Sequence, residues 1–402
     1  MTSPNASSYP IREAFQRFYP AYQSRHKVTD EQNKTAMCIM NCKTGELGYN
    51  ISICEECGTP VIHAVSCNNR SCPCCQAALV KKWEAERNTE LIKGIAYYHV
   101  VFTVPHELNR LIYANMSALL GLLFQSVHDT LLKLCADRKF MGAKPGIMSV
   151  LHTWGQKLSF HPHIHVCVSG GGITPSGTFV EKSHRSFFLP ERVIAARFRG
   201  HFLCALKKLY EAGSLDLTIT PELADPVMWQ QFIDALFDKH WLPFVKETFN
   251  GKGNAVRYLA RYSYRTAIAN SRIVSVDDET VTFRYKDYAD KCTEKTRTVS
   301  GETFICLFLQ HILPARFHRV RFAGYLTNSQ KTKNLKLIHT LRNTVYPGNP
   351  YRSMHTAELI REFYGFDICS CRKCSGRMLQ LPRGSPIESI PSFQKMLHTS
   401  AE

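Results

Sequence analysis

The sequence predicts an α+β fold: an antiparallel sheet with helices packed on it, plus a small cysteine-rich module near the N-terminus. Three observations carry this reading. Strand-like and helix-like runs alternate along the 402 residues. Two strand-like runs, 146–158 and 159–169, adjoin closely enough for a hairpin. Half of the sixteen cysteines fall between positions 38 and 75.

The elements follow in order. Residues 12–33 and 76–93 read as helices bracketing the cysteine module. Residues 96–105, rich in β-branched and aromatic side chains, read as a strand ended by Pro105. A long, mostly apolar helix is expected over 116–137, then the hairpin, then two helices within 190–245. Residues 251–273 open on glycines before a basic, tyrosine-bearing helix. A hairpin with an acidic turn is expected over 272–287 and a helix over 300–313 before Pro314. After about residue 342, scattered Pro, Gly and Ser predict a less ordered tail. No internal repeat is visible.

Lysine and arginine total 50 against 33 acidic residues, a formal charge of +17. Such a surplus favours a polyanionic partner, nucleic acid first among them. No apolar run reaches the roughly 18 residues of a membrane span, and the start lacks the basic and apolar regions of a signal peptide. A soluble, cytoplasmic protein without membrane contact is the expectation. In a reducing compartment sixteen cysteines point to metal ligation before disulfides.

Cys54 with Cys57 and Cys72 with Cys75 form two C-x2-C knuckles separated by 14 residues, close to the spacing of tetrahedral zinc sites. The expectation is one structural zinc on these four thiolates. Cys38, Cys42, Cys67 and Cys74 suffice for a second, with Cys42 and Cys67 the preferred pair. Cys371 and Cys374, with Cys369 nearby, amount to half a site at best and are left unassigned.

His161, His163 and His165 alternate in an apolar run, so on a strand their imidazoles form one row. A hairpin pairing His152 with His163 would bring residues 152, 154 and 156 to that face. His163, His165 and a third ligand could then hold one divalent ion, the third place being open among His152, Gln156 and His161. Further on, Tyr258 and Tyr262 are four apart and share one side of a helix, while Arg257, Arg261 and Arg265 form a stripe at the same spacing.

The ordered set "SCNNRSCPCCQ", "HVVFTVPHEL", "LHTWGQKLSFHPHIHVCVSGGG", "YLARYSYRTAIANSRI" and "HILPARFHRVRFAGYL" resembles the IS-ninety-one-like rolling-circle insertion-sequence transposases over roughly residues 38–327. In that family a His-hydrophobic-His strand, the HUH motif, is matched here by His163, Ile164 and His165. The tyrosine pair of its two-tyrosine members is matched by Tyr258 and Tyr262. Where the family usually reads Arg-His-Cys-Pro-Lys-Cys-Gln, this chain has Ser71 and Cys74 in place of the histidine and the lysine.

The resemblance implies a transposase that cleaves and rejoins single-stranded DNA through a covalent 5′-phosphotyrosine, with Mg2+ or Mn2+ as catalytic ion and Zn2+ as structural ion. It implies a bacterial, nucleoid-associated enzyme acting on element ends and target, with its oligomeric state left open. Arg257, Arg261, Arg265, Arg319 and Arg321 are the expected DNA contacts. The expected organisation is a zinc-binding DNA-recognition domain over 1–93 and a nuclease domain with its tyrosine helix over 94–272. A DNA-contacting hairpin and helix follow over 273–341, then a tail over 342–402. No phosphate-binding loop is present, so no nucleotide cofactor is expected.

The rivals are a plasmid replication initiator or relaxase with the same chemistry, and a non-catalytic zinc-dependent DNA-binding regulator. A tyrosine recombinase, to which His318 and Arg321 could belong, leaves the histidine row unexplained.

Overall fold

The computed structural model describes residues 9–181, 189–241, 243–247 and 267–382. In chain order its elements are α1 (Pro10–Arg25), α2 (Asp30–Asn41), β1 (Tyr49–Cys54), β2 (Pro60–Ala64), α3 (Ala77–Asn88), β3 (Tyr97–Thr103), α4 (Leu108–Ala114), α5 (Met116–Ala136), β4 (Lys144–Trp154), β5 (Phe160–Ile173) and β6 (Phe179–Glu181). They continue with α6 (Glu191–Glu211), α7 (Pro226–Asp238), β7 (Phe244–Glu247), β8 (Ile273–Val276), β9 (Thr280–Asp287), β10 (Thr293–Ser300), α8 (Gly301–Leu309), β11 (Val320–Gly324), α9 (Lys331–Leu341), α10 (Thr356–Tyr364) and β12 (Met378–Gln380). Two units result, one of Arg87–Ser263 and Gln310–Gly348, the other of Met1–Glu86, Tyr264–Leu309 and Asn349–Glu402.

The unit holding the histidines is built on an antiparallel sheet ordered β11-β4-β5-β3-β7, with β6 paired to the end of β5. Alternation along each strand decides its two faces. Val100 and Phe102 of β3, Ile147 and Leu151 of β4, and Ile164, Val166 and Val168 of β5 point to one face and are buried. They form one core with α4, α5, α6 and α7. Each such side chain withdrawn from water stabilises the fold by about 1.5–3 kcal/mol. The other face carries the histidines.

α5 is long and apolar enough to cross a membrane by length and composition, which the sequence reading denied to any run. Eleven of its 21 residues are buried, among them Leu119, Leu123, Val127 and Leu131, and these join the core. It is a core helix, apolar because it is covered.

Glycine is required where strands crowd. A side chain on Gly324, at φ +68°, would strike the Pro145 carbonyl oxygen at 1.6 Å, and one on Gly172 would meet the Lys144 carbonyl at 2.6 Å.

In the second unit α1 buries Ile11, Phe15, Phe18, Tyr19 and Tyr22, a helical stripe that packs on α8, where Phe15 meets Phe308 edge to face at 5.0 Å. The expected single helix over 12–33 is two helices. Thr29 caps α2, receiving the Gln32 N–H while the Gln32 side chain receives the Thr29 N–H, so the chain turns there. The hairpin over 272–287 gains a third strand, β10. The tail is not uniformly irregular: α10 forms, and β12 pairs with β1 in a sheet ordered β12-β1-β2.

Candidate functional site

The hairpin register sets His152 opposite His163 and Val150 opposite His165. Antiparallel partners share a face, so His152 joins the row of β5. One ring nitrogen from each of His152, His163 and His165 lies within 4.8 Å of the other two. Three nitrogens about 2.0–2.2 Å from one ion stand roughly 3.0–3.6 Å apart, so the three rings are near enough to close on an ion by small side-chain movements. A bulge follows His152, since Trp154 pairs with Phe160, and there the simple alternation stops. Trp154 still stacks on His152 with ring centres 4.6 Å apart. The hairpin loop is fixed by Leu158, buried at φ +62°, whose carbonyl accepts from the Gln310 amide at 2.6 Å and the His311 Nε2–H at 3.1 Å.

Of the two histidine candidates for the third position, His152 is the one that converges with His163 and His165. His161 instead offers its carbonyl to His163 Nδ1 at 2.7 Å. That bond fixes the tautomer: Nδ1 carries the hydrogen and Nε2 keeps its lone pair. His165 Nδ1 lies 3.0 Å from His99 Nε2, both rings being buried. His99 was not singled out from sequence. The signal was available, because alternation along β3 puts His99 on the face of Val101 and Thr103, which pair with His165 and His163.

Burial keeps the His163 and His165 rings neutral. It brings His163 down to about 4, against the opposing hydrogen bond to the His161 carbonyl, and holds His165 well below the usual histidine range. Neutral imidazole is the ligand form, so the donor set fits a divalent ion.

The cysteines form two groups, and their composition corrects the expected pairing of knuckles. Cys72 and Cys75 converge with Cys42 and Cys67, whereas Cys54 and Cys57 converge with Cys371 and Cys374. In each group the four sulfurs lie within 4.8 Å of one another. Tetrahedral zinc at about 2.3 Å from each thiolate requires S···S separations near 3.8 Å. Cys67 and Cys75 stand at 3.8 Å. The first knuckle begins at the end of β1, which pairs with β12, the strand just past Cys371 and Cys374. Cys38 and Cys74 stand outside both groups, although the Cys74 N–H points at Cys72 Sγ, 3.4 Å away. Hydrogen bonds from Cys67, Cys72, Cys74 and Cys75 push the Cys42 thiol far below its ordinary value, and Thr59 lowers that of Cys57 to about 6.

Tyr258, Tyr262, Arg257, Arg261 and Arg265 lie outside the described residues. Arg319 and Arg321, expected as DNA contacts, lie beside and on β11. β11 is an edge strand in which Arg321 pairs with Ser149, on the helix-covered face. Its guanidinium lies over Phe124 at 4.5 Å and Phe317 at 5.1 Å, lining a cleft of about 670 Å³ with His128, Asp129 and Lys208. Arg319 is 8% exposed and lies 6.0 Å from the Trp154 ring, a packing position beside the hairpin.

A cysteine-ligand module and an antiparallel sheet with a three-histidine centre thus define the class. Residues 14–104 match the family described as transposase zinc-binding domain, and residues 146–333 match the one described as putative transposase. The chain is 34% identical over 376 residues to the putative transposase y4qJ of Sinorhizobium fredii (strain NBRC 101917 / NGR234), covering 92% of this chain and 94% of that one. It is 28% identical over 360 residues to the transposase for insertion sequence element IS801 of Pseudomonas savastanoi pv. phaseolicola, covering 88% and 84%. No solved structure matches it significantly. The chain belongs to the IS-ninety-one-like transposase family, and its N-terminal part is that family's zinc-binding domain.

Proposed function

We propose that this transposase cleaves and rejoins single-stranded DNA at the ends of its element and at the target by metal-assisted tyrosine chemistry. The observation that carries this reading is the convergence of His152, His163 and His165 on the sheet face opposite the one that packs on α4, α5, α6 and α7. Mg2+ or Mn2+ held there would polarise the scissile phosphate and offset the charge that develops on it, imidazole ligands favouring Mn2+.

The chain's own residues do the rest. Tyr258 or Tyr262, assigned by the family resemblance, attacks phosphorus through its phenolic oxygen. The bond to the 3′ oxygen breaks, that oxygen takes up a proton, and the 5′ phosphate remains on the tyrosine. Attack by a 3′ hydroxyl on the phosphotyrosine reverses these events and rejoins the strand without a nucleotide cofactor. A phenol of pKa about 10 needs cations nearby to ionise at neutral pH, the role given to Arg257, Arg261 and Arg265. His161 and His99 orient two of the ligand rings through the hydrogen bonds described above. The basic zinc module is assigned to recognising the element's end.

The test compares single-stranded and duplex oligonucleotides carrying the element's end, with Mn2+ or with EDTA. Cutting confined to the single strand, abolished by EDTA and by His163→Ala with His165→Ala, is expected. Cutting that survives chelation or the double substitution would overturn the metal assignment. Sequence-specific binding without any cutting would favour the regulator.

A further inference from the structure

The zinc-binding family match ends at residue 104, and one of the two cysteine groups reaches beyond it. Cys54 and Cys57 are joined by Cys371 and Cys374, more than 300 residues later in the chain. We propose that these four cysteines form a second structural zinc site, in which the C-terminal segment supplies half of the ligands and is clamped onto the N-terminal ribbon.

The two halves have the same backbone geometry, which scattered buried cysteines have no reason to share. In the first, the Gly58 N–H donates to the Cys54 carbonyl at 3.0 Å and the Cys54 N–H to the Thr59 carbonyl at 3.1 Å. In the second, the Ser375 N–H donates to the Cys371 carbonyl at 2.9 Å and the Cys371 N–H to the Gly376 carbonyl at 2.7 Å. The residue four past the leading cysteine is left-handed in both, Gly58 at φ +67° and Ser375 at φ +61°. That conformation is uncommon for a residue other than glycine.

Each leading sulfur also accepts a backbone N–H, Cys54 Sγ from Cys57 at 3.5 Å and Cys371 Sγ from Lys373 at 3.4 Å. Sulfurs meet across the halves: Cys54 to Cys374 at 3.4 Å and Cys57 to Cys371 at 3.7 Å, near the separation that tetrahedral zinc imposes. Gly376 is part of the fit, since a side chain there would stand 3.1 Å from Cys54 Sγ. The strands beyond the knuckles continue the union, with Cys54 opposite Met378 and Ser52 opposite Gln380.

Solvent exposure alone predicts a different reactivity from the clamp, because Cys57, Cys369 and Cys374 are all exposed. The test alkylates the native full-length protein and maps modified cysteines by mass spectrometry, before and after zinc removal by a chelator. The clamp predicts that Cys369 reacts at once, that Cys54, Cys57, Cys371 and Cys374 are protected, and that all four become reactive together as zinc leaves. Metal analysis supplies the second arm: Cys54→Ser with Cys57→Ser, Cys371→Ser with Cys374→Ser, and all four together each lose one zinc per chain. Prompt alkylation of Cys371 and Cys374 while Cys54 and Cys57 stay protected would overturn the proposal. So would an undiminished zinc content in the Cys371→Ser, Cys374→Ser variant. The alkylation arm uses the natural chain, so it decides even where a variant fails to fold.

Discussion

Replacing His99 with Phe should weaken divalent-ion binding at the three-histidine centre without emptying it. His99 Nε2 and His165 Nδ1 are 3.0 Å apart, and neither ring is more than 8% exposed. Phenylalanine conserves the ring and its burial but leaves His165 Nδ1 without that partner. A buried polar atom so stranded costs about 1–3 kcal/mol. Loss of an outer hydrogen bond to a metal-binding histidine lowers affinity by about 10- to 100-fold, which corresponds to roughly 1.4–2.7 kcal/mol. The first figure should appear in the thermal unfolding of the apo chain and the second in its affinity for the ion. Calorimetric titration of the purified chain with Mn2+ reads the effect, with thermal unfolding followed in parallel. His99→Gln, whose amide can reach the same place, should recover most of the affinity. Unchanged Mn2+ affinity in His99→Phe would refute the reasoning, as would equal losses in the Phe and Gln variants.

Other consequences concern the scaffold. Gly324→Ala forces a side chain against the Pro145 carbonyl at φ +68°, so a loss of about 2 kcal/mol or more and a lower Tm are expected in thermal unfolding. Ile164→Ala, between the two motif histidines and fully buried, should cost about 2–5 kcal/mol in denaturant unfolding. The pH dependence of stability should carry a contribution from His311, which burial and the nearby Arg319 bring down to about 3. The folded chain holds this ring neutral while the unfolded chain protonates it near 6.5, so the unfolded state binds more protons between these values. The contribution is complete above about pH 6.5 and is lost as pH falls toward 3, by at most about 5 kcal/mol, so His311→Gln should flatten the unfolding profile in that window.

The hairpin and its histidine face were legible because a strand's period of two is rigid. Once His152 pairs with His163, every neighbour's face is determined until a bulge intervenes. The core helix α5 was legible from its apolar run. The partners of the zinc knuckles were not, since C-x2-C spacing defines the local turn but says nothing about which distant turn shares the ion. Composition pointed to an irregular tail, and the pairing of β12 with β1 outweighed it. The packing around Arg321 was not legible, because the basic run shows its charges but not the rings that cover them. In β11 the aromatic rings of Phe124 and Phe317 receive the guanidinium. The helix break at Thr29 was written in the sequence as a capping box, Thr29 with Gln32, inside a run that otherwise kept its period.

The central claim is a covalent link between a tyrosine and the 5′ phosphate of a cut single strand. The direct measurement incubates the full-length protein and Mn2+ with a 3′-labelled single-stranded oligonucleotide bearing the element's end. The products are resolved on a denaturing gel, and the attached residue is identified by mass spectrometry. The account predicts labelled protein linked through Tyr258 or Tyr262, lost on chelation, in His163→Ala with His165→Ala, and in Tyr258→Phe with Tyr262→Phe. A cut strand with no label on the protein, or an adduct that persists without both tyrosines, would contradict it.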